Sequence, residues 1–94
     1  MTVVWSRRAV RHLIHLRQHI AQDSPTAAAS VAQRILDCVD LLSEHPAIGR
    51  PGRVAGTREL VVPQTPYVIP YRVRGATLAI IAVFHQRERW PDSL

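Results

Sequence analysis

Four residues in the second half of the chain have the types that cut RNA without a metal: His85, Arg87, Arg58 and Glu59. A histidine or a carboxylate can carry the proton, and arginines can hold a phosphate and the charge that builds on it. In this scheme Arg87 and Arg58 bind phosphate, and His85 or Glu59 is the proton-transfer partner. The same residues have a plainer reading, in which His85 ends a strand with a hydrogen bond and Glu59 pairs with a neighbouring arginine. Residue type and position leave both readings open.

The stretch HPAIGRPGRVAGTREL, His45 to Leu60, is the other place where chemistry suggests itself. It has no GK[ST], and it follows a helix and precedes a strand. That is the reverse of the strand-loop-helix order that cradles a phosphate. Its prolines and glycines read as a helix stop and a turn. Arg50, Arg53 and Arg58 are not explained by a turn. They read as a basic rim facing an anionic or acidic partner, or as plain solvated surface.

Three histidines, His12, His15 and His19, share one flank of a helix. His15 and His19 are spaced for zinc, but no acid accompanies them as HExxH requires, so no metal site and no cofactor is expected. Cys38 borders an apolar stripe and reads as a small buried hydrophobe. Trp90 lies in the polar tail QRERWPDSL, either tucked against the sheet or presented to a partner.

The elements that position these residues follow from periodicity. TVVW, Thr2 to Trp5, is a short first strand. Ser6 caps a helix from Arg7 to about Gln22, with Trp5 and Val10 placed for a hydrophobic staple. Ala9, Leu13, Leu16 and Ile20 are its apolar stripe, widened by Val10. Ser24-Pro25 starts a second helix running to about Glu44, with the stripe Ala28, Val31, Ala32, Ile35, Val39 and Leu42. Leu41 falls on its polar side and reads as a partner contact. Strands follow at Thr57–Val62, Tyr67–Val73 and Thr77–His85. Pro70 removes a ladder donor from the second of these and argues for a bulge or an edge. The last is apolar on both faces, hence central and covered. The expected fold is α+β, in the order β-α-α-β-β-β. An N-terminal strand and an antiparallel helical hairpin pack on a small, mostly antiparallel sheet, in one domain spanning 1–94.

Composition narrows the partners. The 94 residues carry a formal charge of +5, and every one of the twelve basic residues is arginine. Arginine's rigid fork matches carboxylate and phosphate, so an acidic protein or nucleic acid is the expected partner. One cysteine excludes an internal disulfide and fits a reducing cytoplasm. The longest apolar run, Leu78 to Phe84, is far short of the ~20 residues of a membrane span, so no membrane partner is expected.

The motifs HPAIGRPGR, GTRELVV, TPYVIPYRV and VFHQRERWP, placed after a helical hairpin, resemble the RelE/ParE superfamily of bacterial toxins. The resemblance covers almost the whole chain. It implies the toxin half of a type II toxin–antitoxin module, with no cofactor. RelE-like members cut mRNA in the ribosomal A site; ParE-like members poison DNA gyrase and have lost the nuclease residues. Nuclease members usually carry an arginine where this chain has Val68, and several basic residues or a glutamate in the loop before the second strand. Here that loop has Arg50 and Arg53 but no lysine and no acid. Arg87 matches a basic residue that nucleases use. Loss of the central arginine removes about 2–4 kcal/mol of transition-state binding unless another arginine, such as Arg72, moves in. The expectation is therefore a ParE-like toxin that binds gyrase, with the ribosome-dependent endonuclease as the alternative. A basic nucleic-acid-binding domain ranks last, because no recognition helix stands out.

The resemblance also implies a cognate antitoxin. By charge, it should be an acidic, partly disordered segment that folds onto the toxin, with DNA reached only indirectly through it. The expected contacts to antitoxin or target are Arg50, Arg53, Arg58, Arg72, Arg87, Arg89, Trp90 and Leu41, with the His12–His15–His19 flank as a further surface.

Overall fold

A computed structural model describes residues 1–94. Its elements are β1 (Thr2–Trp5), α1 (Arg7–Ala21), α2 (Pro25–Glu44), β2 (Arg50–Pro51), β3 (Arg58–Val61), β4 (Tyr67–Arg74), β5 (Thr77–Ile80) and β6 (Phe84–His85). The sheet order is β1-β5-β4-β3-β2, with β6 beside β4. Only β1 and β5 run parallel; every other pair is antiparallel. This is the expected α+β architecture of a helical hairpin on a mostly antiparallel sheet. No helix is long and apolar enough to cross a membrane.

Both helices start where their caps direct. The Ser6 hydroxyl accepts the Ala9 N–H at 2.9 Å, and the Ser24 hydroxyl accepts the Ala27 N–H at 3.1 Å. Each cap satisfies a donor that has no partner within the helix, worth about 1 kcal/mol. The helices lay Ala9, Leu16, Ile35, Val39 and Leu42 on one face of the sheet, against Ile69, Tyr71, Leu78 and Ile80. Ile35 and Leu42 are completely buried, each contributing about 1.5–3 kcal/mol. A smaller apolar cluster, Val68, Ala82, Phe84 and Trp90, covers part of the opposite face.

Three expectations need correction. Val10 does not widen the α1 stripe, because it is exposed on the outer side of the helix. The loop before β3 is not wholly irregular: Arg50–Pro51 pairs with β3 as a two-residue edge strand. And Thr77–His85 is not one strand. From Tyr71 to Val68, three steps along β4, the partner takes four, from Ile80 to Phe84. One extra residue makes a bulge at 81–83, where β5 ends and β6 begins.

Pro70 is the cause. It has no N–H to return, so it only accepts, from Ile81 at 3.0 Å. The backbone groups freed by the bulge turn to α1 instead. The Ser6 hydroxyl donates to the Ile81 carbonyl at 2.6 Å, and the Val83 N–H donates to His12 Nδ1 at 3.1 Å. The bulge is thereby stitched to the first helix and its cap at two points.

Candidate functional site: an arginine rim and a histidine cleft

The two faces of the sheet hold different groups. Residues paired across antiparallel strands point the same way. Leu60 pairs with Ile69 on the helix side, so Glu59, paired with Pro70, points to the other side. His85 pairs with Tyr67, which packs on the helix side. Glu59 and His85 therefore lie on opposite faces, and the structure does not bring them together.

Glu59 is instead the hub of the arginine rim. It is 3% exposed, and its two oxygens are divided between two arginines. Oε1 accepts from Arg50 Nη2 at 3.1 Å. Oε2 accepts from the Arg53 N–H at 2.8 Å and from Arg53 Nε at 3.3 Å. Burial alone would raise the carboxyl's pKa, but these donors outweigh it and hold it below the ordinary range. Arg53 then lies over the Trp90 ring, 3.6 Å from its centroid. Trp90 packs on Phe84 at 4.5 Å and is 9% exposed, so it is tucked against the sheet rather than presented.

Arg58, on the helix side, is also occupied. Its Nη1 donates to the carbonyls of Gly49 at 2.8 Å and Ala47 at 3.3 Å. The same loop is pinned by Tyr71, whose hydroxyl donates to the Pro46 carbonyl at 2.7 Å and accepts the Gly49 N–H at 2.9 Å. A side chain at Gly49 would collide with that hydroxyl and with the Glu59 carbonyl, so only glycine fits there. HPAIGR is thus a presented turn, held by the strand residues of the TREL and YRV motifs. Arg50, Arg53, Arg87, Arg89 and Leu41 are exposed; Arg72 is half-buried on β4. Cys38 is buried, and burial pushes its thiol's pKa up, with Asp37 adding to the effect.

The second feature lies between α1 and the tail. His12, His15 and His19 line one wall of a cleft of about 340 Å³, and Tyr67, Val83, His85 and Glu88 line the other. His85 meets Tyr67 edge-on at 5.6 Å. Its backbone N–H donates to Glu88 Oε1 at 2.6 Å, and its Nδ1 accepts the Arg87 N–H at 3.1 Å. Burial lowers the pKa of His12, and the nearby Glu88 charge only partly opposes this. The helix flank was legible from its spacing. That Glu88 and His85 would face it was not, because this depends on how the tail folds back after the bulge. No three histidine, cysteine or acidic residues are arranged to hold a metal ion.

Similarity to known proteins bears on the whole chain. A family model described as the ParE toxin of the type II toxin–antitoxin system parDE matches residues 3–90. The "Putative toxin Y4kP" of Sinorhizobium fredii is 47% identical over 90 residues, covering 96% of this chain and 93% of the relative. "Toxin RelE2" of Caulobacter vibrioides is 42% identical over 83 residues, covering 88% and 92%. A solved structure titled "Chromosomal ParDE TA system from P. aeruginosa" superposes with a TM-score of 0.81 at 28% identity, covering 90% of this chain and 95% of that one.

Proposed function

The chain belongs to the ParE toxin family of type II toxin–antitoxin systems, and on that premise we propose that it arrests growth by binding and poisoning DNA gyrase. It acts in the cytoplasm as a single 1–94 domain, and a cognate acidic antitoxin neutralises it. One observation carries the choice of target: the groups an endonuclease would need do not converge. Glu59 is enclosed by Arg50 and Arg53 on the face away from His85, Arg58 is occupied by two loop carbonyls, and Val68 is an apolar core residue at 1% exposure. A contact poison needs a stable, charged, well-presented surface, and the rim around Glu59 is one. A supercoiling assay with purified gyrase is the test. The expected result is inhibition with trapped cleavage complex at micromolar toxin; neither appearing would refute the reading.

A second reading, ribosome-dependent mRNA cleavage, is favoured by the cleft that sets His85 among three further histidines with Arg87 beside it. Two of the relatives also carry RelE names. Primer extension after toxin induction separates the two readings. A-site cuts that vanish in a His85→Ala, Arg87→Ala double variant would establish cleavage.

A further inference from the structure

Two of the four cleft imidazoles have their proton placed by the backbone. His12 Nδ1 accepts the Val83 N–H, and His85 Nδ1 accepts the Arg87 N–H, each at 3.1 Å. A ring nitrogen that accepts a hydrogen bond carries no proton, so the proton of each neutral ring sits on Nε2. Neither ring then keeps a free lone pair. In this arrangement neither can ligate a metal, and neither can take a proton at Nε2. The Nε2–H donor is the only polar group that either ring has left to offer the cleft.

A donor without a lone pair binds an acceptor oxygen, and the surroundings favour an anionic one. His15 and His19 are exposed along the same flank, and Arg8 and Arg11 lie close enough to act on the charge of His12. The chain as a whole carries +5. One carboxylate is already there: Glu88, fixed by the His85 N–H.

We propose that this cleft receives a carboxylate of the antitoxin, an aspartate or glutamate side chain held by the Nε2–H groups of His12 and His85, with Glu88 as the chain's own competitor. The proposal rests on the chain being a toxin with an acidic protein antitoxin, and it stands whichever target the toxin has. Failure of the gyrase assay therefore leaves it untouched.

The test is nitrogen-resolved NMR of the histidine rings in the wild-type chain. The probes are a capped peptide of alternating glutamate and leucine, its glutamine counterpart, and a short single-stranded RNA. In their neutral forms both His12 and His85 should show the Nε2–H tautomer. Both ring signals should move with the glutamate peptide and stay still with the glutamine one. His85→Phe should weaken glutamate-peptide binding by about tenfold or more, and Glu88→Gln should strengthen it. A ring found with its proton on Nδ1 would overturn the proposal, as would rings indifferent to the glutamate peptide. So would ring signals that move only with RNA, which would make the cleft a phosphate site. The tautomer and wild-type titrations decide the matter even if a variant fails to fold.

Discussion

The guanidinium of Arg53 lies 3.6 Å from the centroid of the Trp90 ring while its backbone N–H and Nε are held by Glu59. One residue thus joins the loop after α2 to the chain's polar tail. Through this contact the loop's Arg53 and the tail's Trp90 are packed together.

Arg53→Ala should release the tail without unfolding the domain. The substitution removes a cation–π contact worth about 0.5–1 kcal/mol and the Nε bond to the buried Glu59, worth about 0.5–1.5 kcal/mol, so global stability should fall by about 1–2.5 kcal/mol. In a Trp5→Phe background, Trp90 emission should shift to the red as its ring gains water. An unchanged spectrum would mean that Phe84 alone holds the ring.

Glu59 gives the stability a definite acid limb. Its carboxyl titrates below its ordinary value of 4.5 in the folded chain. The unfolded chain therefore binds this proton first on acidification. The stability that Glu59 contributes is complete above about pH 4.5 and is lost as pH falls through the lowered folded value. Glu59→Gln should cost about 1–3 kcal/mol at pH 7 and show a shallower decline on acidification. Denaturant unfolding of both proteins across this range measures it. Parallel pH profiles would remove Glu59 as the titrating group.

Tyr71→Phe should loosen the presented turn. The substitution deletes the hydroxyl between the Pro46 carbonyl and the Gly49 N–H, leaving a buried donor without a partner. The expected loss is about 1–3 kcal/mol. Amide exchange at Gly49 should rise more than exchange in the helices; uniform change would indicate general destabilisation instead.

Charge reversal separates rim contacts from structural arginines. Arg87 is exposed, and no bond from its side chain to the rest of the fold is present. Arg87→Glu should leave the melting temperature unchanged and weaken antitoxin binding by about fivefold, chiefly through slower association at low salt. Arg58→Glu should do both kinds of damage, because its side chain also ties down Ala47 and Gly49. Equal antitoxin affinity in wild type and Arg87→Glu would take Arg87 out of the interface.

Much of the fold was legible because its signals are local. Ser6 and Ser24-Pro25 marked both helix starts, and the apolar stripes marked the buried faces. The bulge was half legible: Pro70 announced it, but the residues that bulge are on another strand, in an apolar run with every local reason to be straight. The site was harder, because it is made of long-range pairs. Nothing in the spacing of Glu59 says that it will face away from His85. That depends on register across β4, where one residue of slip exchanges the faces. Trp90 could be read as tucked or presented, and Phe84 and Arg53, which decide it, lie 6 and 37 positions away.

The parallel pair of β1 and β5 has a consequence for how the chain comes into being. Thr2–Trp5 finds its only strand partner in Thr77–Ile80, and the Ser6 hydroxyl reaches a carbonyl 75 positions away. A growing chain cannot seat its first strand until the residues near position 80 have left the ribosome, and contacts this distant slow folding further. The helical hairpin can form early, but the surface that joins loop and tail is completed late. In a toxin of a type II toxin–antitoxin system, that surface is therefore the last part of the domain to be completed.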